Sequence, residues 1–302
     1  MSDRDKTDPG TVVQRPEFIS QVVVDAAGLS HVGRVRTNNE DHFLISRMGR
    51  FMEVEHTNIP KEMQPERFEE CFYGMIVADG VGGGAAGEVA SRTAIRSLVD
   101  MAATSPNWIF RLDDDQLVND LRARLRTRAG QIHDELIRTA KSDPSLKGFG
   151  TTMTIALSVG NVLFLSHIGD SRAYLFRQGV LQQLTHDHTL AQELTDKGFT
   201  SQDGVPVERF RHVLTQALTD RAGAVEPEVI TIDLEDKDRV LLCTDGLTDM
   251  VEDSAIADVL AEPVSSADVC RMLVERALES GGTDNVTVAL TSYRIGDSDT
   301  QY

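Results

Sequence analysis

Short apolar runs, each broken by glycine or a polar turn, recur along most of this chain, while runs at helical spacing occupy separate stretches. From Gln21 the pattern is strand-like (VVVDAAGLSHVG), and His42–Ser46 continues it. Residues 47–70 are mixed and polar and read as a surface excursion between strands. Cys71–Ala78 (CFYGMIVA) has the continuous apolar character of a buried strand and breaks at Asp79-Gly80 into a glycine-rich turn. Helical spacing follows over about 85–103 and again over 113–140. In the second stretch Leu117, Leu121, Leu125, Ile132, Leu136 and Ile137 fall mostly on one face, and Asp113–Asp115 suit the positive end of the helix. Arg122, Arg124, Arg126 and Arg128 lie between them; alternate helical positions do not converge, so they read as an exposed face rather than an anion site.

Thr151–Val159 and Val162–His167 flank Gly160-Asn161, a hairpin signal. Further strands are predicted at 173–176, 180–184, 229–234, 239–244 and 286–292, with helices near 189–197 and at 253–261 and 266–279. Strands and helices in separate groups predict an α+β sandwich rather than alternating βαβ units. Residues 1–20 lack periodicity and read as a flexible N-terminal tail, 297–302 as a C-terminal tail, and 21–296 as a single domain.

Composition narrows the function classes. At 40% hydrophobic and 26% charged, the 302 residues are ordinary for a globular protein. No apolar run approaches the ~18 residues of a membrane span, and the polar, acidic start is unlike a secretory signal, so a cytoplasmic protein with no membrane partner is expected. A net charge of −18 argues against nucleic acid as a partner. Cys71, Cys243 and Cys270 are sparse and far apart, which fits reduced thiols rather than a disulfide frame or zinc knuckle.

One motif points elsewhere. Residues 82–87 (GGGAAG) satisfy G-x-G-x-x-G between a strand and a helix, the dinucleotide-binding fingerprint. It lacks the second strand ending in an acid ~20 residues further on, since SPNWIFRLDDD occupies that place. No Gly-Lys-Ser/Thr follows, so a phosphate-binding P-loop fails too.

The placement of the acids says more. Asp79 ends MIVADG, Asp245 ends VLLCTDG and Asp170 ends LFLSHIGD, each after a buried-looking strand. Asp284 precedes a strand in GGTDNVTV, and Glu40-Asp41 opens one in RTNNEDHF. A single Asp-Gly after a strand is an ordinary turn. Several such acids on rigid strand ends are the oxygen ligands that a hard divalent cation requires.

The ordered set Arg36–Asp41 (RTNNED), Val77–Gly83 (VADGVGG), Gly150–Thr152 (GTT), His167–Arg172 (HIGDSR), Cys243–Leu247 (CTDGL) and Asp284–Thr287 (DNVT) resembles the bacterial form of the protein phosphatase 2C family, over about 28–291. The resemblance implies a four-layer αββα sandwich, two antiparallel sheets packed face to face and flanked by helices. It implies a metal-dependent phosphoserine/phosphothreonine phosphatase with two Mn²⁺ or Mg²⁺ ions and a third, weaker site. Asp79 would bridge the metals and the Gly80 carbonyl would complete one shell. Asp245 and Asp284 would hold the other metal, with Glu40 and Asp41 acting around the first, partly through water. Asp170 with Asp245 would form the third site, Arg36 would clamp the substrate phosphate, and Asn285 would support Asp284. Water or hydroxide between the metals would attack the phosphoester directly, a role suited to paired cations ~3.5–4 Å apart.

The resemblance further implies phosphoprotein partners, a cognate serine/threonine kinase among them, and a monomer. Residues 186–225 correspond to a variable flap that would govern which phosphoprotein is accepted. Animal members carry a histidine where this chain has Val81. The leaving-group acid is therefore unassigned: a metal-bound water is the first choice, and His42, His186, His188 and His212 are candidates by residue type alone. A catalytically dead scaffold on the same fold is the remaining alternative, against which all metal aspartates and Arg36 are in place.

Overall fold

Alternation along the strands sorts the apolar residues into three layers of core. The structure is a computed structural model that describes residues 22–60, 63–64, 68–82, 86–104, 115–200 and 206–296. Both tails, the middle of the glycine-rich turn, the residues at 113–114 and five residues of the flap lie outside the described residues. One sheet orders five strands as β1 (Val22–His31), β13 (Val286–Ile295), β12 (Arg239–Cys243), β8 (Arg172–Arg177) and β9 (Val180–Gln183). The other orders β11 (Glu228–Asp233), β7 (Val162–Ile168), β6 (Met153–Val159), β3 (Phe68–Ala78) and β2 (His42–Met52).

On β12, Val240 and Leu242 face the opposing sheet, where they meet Met75, Val77, Leu163 and Leu165. Leu241 and Cys243 face the other way, onto α5 (Asp253–Ala261) and α6 (Ser266–Glu279). The second sheet divides in the same manner. Ile76, Ala78, Met153 and Ile155 turn outward to α1 (Ala86–Thr104) and α2 (Asp115–Ser142), which contribute Ala90, Ala94, Ile132 and Leu136. Strands buried on both faces read as continuous apolar runs, and β6 is buried at every position. The result is the expected αββα order, and every described ladder between named strands is antiparallel. That removes the dinucleotide reading, whose crossover needs parallel neighbours.

Three local differences have physical causes. The polar segment 47–70 is strand at both ends, because β2 and β3 stay paired from His42↔Ala78 to Met52↔Phe68. A two-stranded ribbon needs only its ladder, so no apolar alternation marks that extension. Asp245 does not sit in a turn: it opens a short helix, α4 (Asp245–Thr248). A three-stranded patch, β10 (Leu218–Thr219), β5 (Gly150–Thr151) and β4 (Gly80–Val81), joins the flap's return to the Asp79 turn. Its two-residue strands are too short for periodicity to reveal. The flap itself carries α3 (Leu190–Asp196), capped by the Thr189 hydroxyl. Among the described residues no helix is long and apolar enough to cross a membrane.

Leu242, 0% exposed between the sheets, contrasts with Val23, 61% exposed. Leu242→Ala is expected to cost about 2–5 kcal/mol in urea unfolding, and Val23→Ala no more than about 0.5 kcal/mol. Equal losses would show that the inter-sheet layer is not the main core.

Candidate active site

The acids gather at one end of the two sheets, held by main-chain braces rather than by one another. Asp79 follows β3. Its amide donates to Thr152 Oγ1 (3.0 Å), and its carbonyl accepts from the Thr152 amide (2.9 Å) and the Thr151 hydroxyl (2.8 Å). Thr152 in turn meets Ser171 Oγ at 2.8 Å, tying this turn to the one that carries Asp170. Asp41, at the start of β2, crosses between the sheets: its Oδ2 accepts from Thr244 Oγ1 at 2.8 Å. Thr244 is itself pinned to Thr287 through two hydrogen bonds of 3.0 Å.

Asn285 joins three segments. Its Oδ1 accepts from the Glu40 amide (2.7 Å), and its Nδ2 donates to the carbonyls of Val32 and Asn38 (both 2.9 Å). Its own amide donates to Asp284 Oδ1 at 2.8 Å. Close approach explains two glycines here. A Cβ on Gly80 would stand 2.3 Å from the Gly87 carbonyl oxygen, and one on Gly87 would stand 2.5 Å from Glu40 Oε2 and 2.7 Å from Gly80 O. The Gly80 carbonyl and the Glu40 carboxylate thus share one narrow space.

The electrostatics follow from crowding. Burial first, and then Asp41, Asp245, Asp170 and Asp284, push the Asp79 carboxyl well above the usual carboxylate range. Burial raises Asp41 to about 7, against the lowering effect of its hydroxyl partners, and raises Asp170 to about 7, with Asp245 adding to it. Glu40 is raised by burial as well. Arg36 answers part of this charge, with Nη2 2.6 Å from Asp284 Oδ2. So the structure brings together Arg36, Glu40, Asp41, Asp79, Gly80, Asp170, Asp245, Asp284 and Asn285.

Asp41 Oδ1 is buried and has no hydrogen-bond partner, a costly state for a carboxylate oxygen. An orphaned oxygen among converging carboxylates and a carbonyl is a hard-oxygen donor set, and it fits Mg²⁺ or Mn²⁺.

Of the four histidines in question, only His212 reaches this centre. Its Nδ1 is 3.7 Å from Asp245 Oδ2 and its Nε2 is 3.7 Å from Asp249 Oδ2. Ligand atoms of His212, Asp245 and Asp249 lie within 4.8 Å of one another. Asp249 was not anticipated, although it stands one helical turn after Asp245, a spacing that shares a face. His42 pairs with Ser91, and His186 with Asp196.

His188 Nδ1 accepts from the Gly169 amide and stacks on His167, near Glu228. That second cluster has its imidazole lone pairs spent: His167 Nε2 faces the His186 carbonyl, leaving Nδ1 to accept from Thr154. It therefore braces the base of the flap and does not fit a metal.

Residues 66–281 match the family described as Protein phosphatase 2C. The serine/threonine protein phosphatase PstP of Mycobacterium tuberculosis is 40% identical over 216 residues, 72% of this chain. The match spans only 39% of that relative's length. The serine/threonine phosphatase stp of Listeria welshimeri is 31% identical over 263 residues, 87% of this chain and 93% of the relative. The catalytic domain of PstP, solved in complex with two manganese ions, superposes with a TM-score of 0.66 at 34% identity, covering 91% of this chain and all of that one (100%). The fold of two face-packed antiparallel sheets is the one found in that solved serine/threonine phosphatase domain. The chain belongs to the protein phosphatase 2C family.

A folded chain without cations keeps protons on Asp41 and Asp170 up to about pH 7, which the unfolded chain releases near its ordinary value of 3.8. The stability these groups contribute is full below about pH 4 and is lost as the pH rises through about 7. With EDTA present, the melting temperature is expected to fall between pH 5 and pH 8, and added Mn²⁺ to restore it most at the higher pH. Parallel melting curves with and without Mn²⁺ across that range would contradict a cation site built on these acids.

Proposed function

We propose that this protein hydrolyses phosphoserine and phosphothreonine in proteins, using two divalent cations held by Asp79, the Gly80 carbonyl, Asp245 and Asp284, with Glu40 and Asp41 beside them. The observation that carries this reading is the buried, unpartnered Asp41 Oδ1 within a group of carboxylates that raise one another's pKa. When bound, the cation pair supplies the charge that makes water a nucleophile near neutral pH and polarises the phosphoryl group. Asp170 with Asp245 is the pair assigned to a third, weaker cation position.

The remaining work falls to the chain's own groups. Arg36 spends one nitrogen on Asp284 and is 56% exposed, so the other side of its guanidinium is free to meet a phosphate with a planar fork of donors. The Asp284 contact aims that fork at the acidic centre. The reading needs no covalent enzyme intermediate: the hydroxyls of Thr151, Thr152, Ser171 and Thr244 are fully buried and committed to hydrogen bonds. Water is the nucleophile left, and direct attack follows. The flap, 186–225, borders the centre through His212 and governs the choice of phosphoprotein. A serine/threonine kinase of the same cell is the assigned counterpart, on the strength of the family likeness, and the working unit is a monomer.

Asp79→Asn and Asp245→Asn are each expected to lower turnover of p-nitrophenyl phosphate with Mn²⁺ by ~100-fold or more. Near wild-type turnover in either variant would refute the metal assignment, and an inactive wild type would favour the scaffold reading. Arg36→Ala should raise KM by about tenfold while Mn²⁺ affinity holds, since it removes a bidentate phosphate contact. Exchanging the flap for that of a relative should change protein-substrate preference; an unchanged preference would refute its selecting role.

A further inference from the structure

The sheet order leaves β2 with a strand partner on one side only, β3. β3 first meets β6 at Phe72↔Val159, so the outer stretch Gly49–Met52 and its partners, ending at Met52↔Phe68, form a ribbon of two strands. The end of this ribbon carries Phe51, Met52, Val54, Ile59 and Met63 in the open, Phe51 at 72% exposure. Large apolar side chains gathered in one uncovered place mark an interaction surface more often than an ordinary one. Two strands alone give them little cover.

The order of residues on one face indicates the partner. Phe43 and Ile45 of β2 point between the sheets, so Arg47, Gly49 and Phe51 follow on that side. The alternation, continued past the end of β2, brings Glu53 and Glu55 to it as well. Arg47, Glu53 and Glu55 are exposed, so the face is basic before Phe51 and acidic after it. An edge arginine usually guards a sheet against unwanted pairing. Turned end for end, this face is its own complement. An antiparallel copy centred on Phe51 sets Phe51 against Phe51, Gly49 against Glu53 and Arg47 against Glu55. On the opposite face the same register sets Met48 against Val54. Moving the axis by one position along the face, in either direction, sets Ile45 against Glu53 or Glu53 against itself.

We propose that the free edge of β2 pairs with the same edge of a second copy of this chain, in the register centred on Phe51, joining two ribbons into a four-stranded sheet. The contact is two-fold symmetric, so each charge pair occurs twice. It extends β2 by the residues up to Glu55. The acidic centre stays whole in each chain: Asp41 immediately precedes β2, and at ~3.3 Å per strand residue Phe51 lies roughly 30 Å from it. One chain therefore remains the working unit, and antiparallel pairing carries the two centres to opposite ends of the particle.

Sedimentation velocity of the full chain over about 1–100 µM tests the pairing. The wild type is expected to pass from one chain to two across that range. Phe51→Asp should raise the dissociation constant by about tenfold or more. Arg47→Glu and Glu55→Arg should each raise it by about tenfold, because either one alone sets like charges opposite each other. The register makes a stricter demand. Mixed in equal amounts, the Arg47→Glu and Glu55→Arg chains place opposite charges together at both ends. The mixture should therefore dimerise as the wild type does, although neither chain does so alone. A wild type that stays monomeric throughout would overturn the proposal and leave the ribbon to a different protein. A Phe51→Asp chain that dimerises as well as the wild type, or a mixture no better than its parts, would overturn it too. Circular dichroism checks that each variant is folded; should Phe51→Asp not be, the charge-reversed mixture decides alone.

Discussion

Like charges forced together in a low-dielectric setting repel strongly, and this chain concentrates Asp41, Asp79, Asp170, Asp245 and Asp284 at one end of its two sheets. The folded protein tolerates them because its main chain holds them in place through neutral partners. Thr151 and Thr152 fix Asp79, Thr244 bridges Asp41 to the β12–β13 end, and Asn285 binds three segments around Asp284. Few of these bonds satisfy the carboxylates themselves. Oxygens are thus left available, at a cost that bound divalent cations would offset.

The same constraint accounts for the architecture around the site. The acids come from both sheets, so the inter-sheet core must fix one sheet against the other before the centre exists. Glycine allows the final approach: a Cβ at Gly80 or Gly246 would collide with the Gly87 or the Asn285 carbonyl, at 2.3 Å and 1.9 Å. Neither position has a positive φ; each is glycine for lack of room. Outside the centre, Arg172 and Asp187 form a half-buried bidentate pair at the entry to the flap, and His188 holds Gly169 next to Asp170. The flap is therefore anchored on the same turn that presents an acid to the site.

Much of this was legible from residues alone. Apolar runs located β6, β7, β11 and β12 within a residue or two, helped in β6 by burial on both faces, which leaves no polar interruption, whereas β2, β3 and β13 extend three or more residues beyond the runs that marked them. The acids stood out because they terminate such runs. What stayed hidden has no periodic signature. The hydroxyl braces of Thr152, Ser171 and Thr244 join positions far apart in sequence. The patch β10–β5–β4 is built from pairs of residues, and α4 is one turn long, which concealed the shared face of Asp245 and Asp249.

Cation binding, read without catalysis, is the most direct test of the account. Mn²⁺ titrated into the wild-type chain and followed by electron paramagnetic resonance should show two ions taken up per chain. The Asp79→Asn chain, still folded by circular dichroism, should lose at least one of them. Uptake by Asp79→Asn equal to that of the wild type, or none by either, would contradict the claim that these carboxylates exist to hold a metal pair.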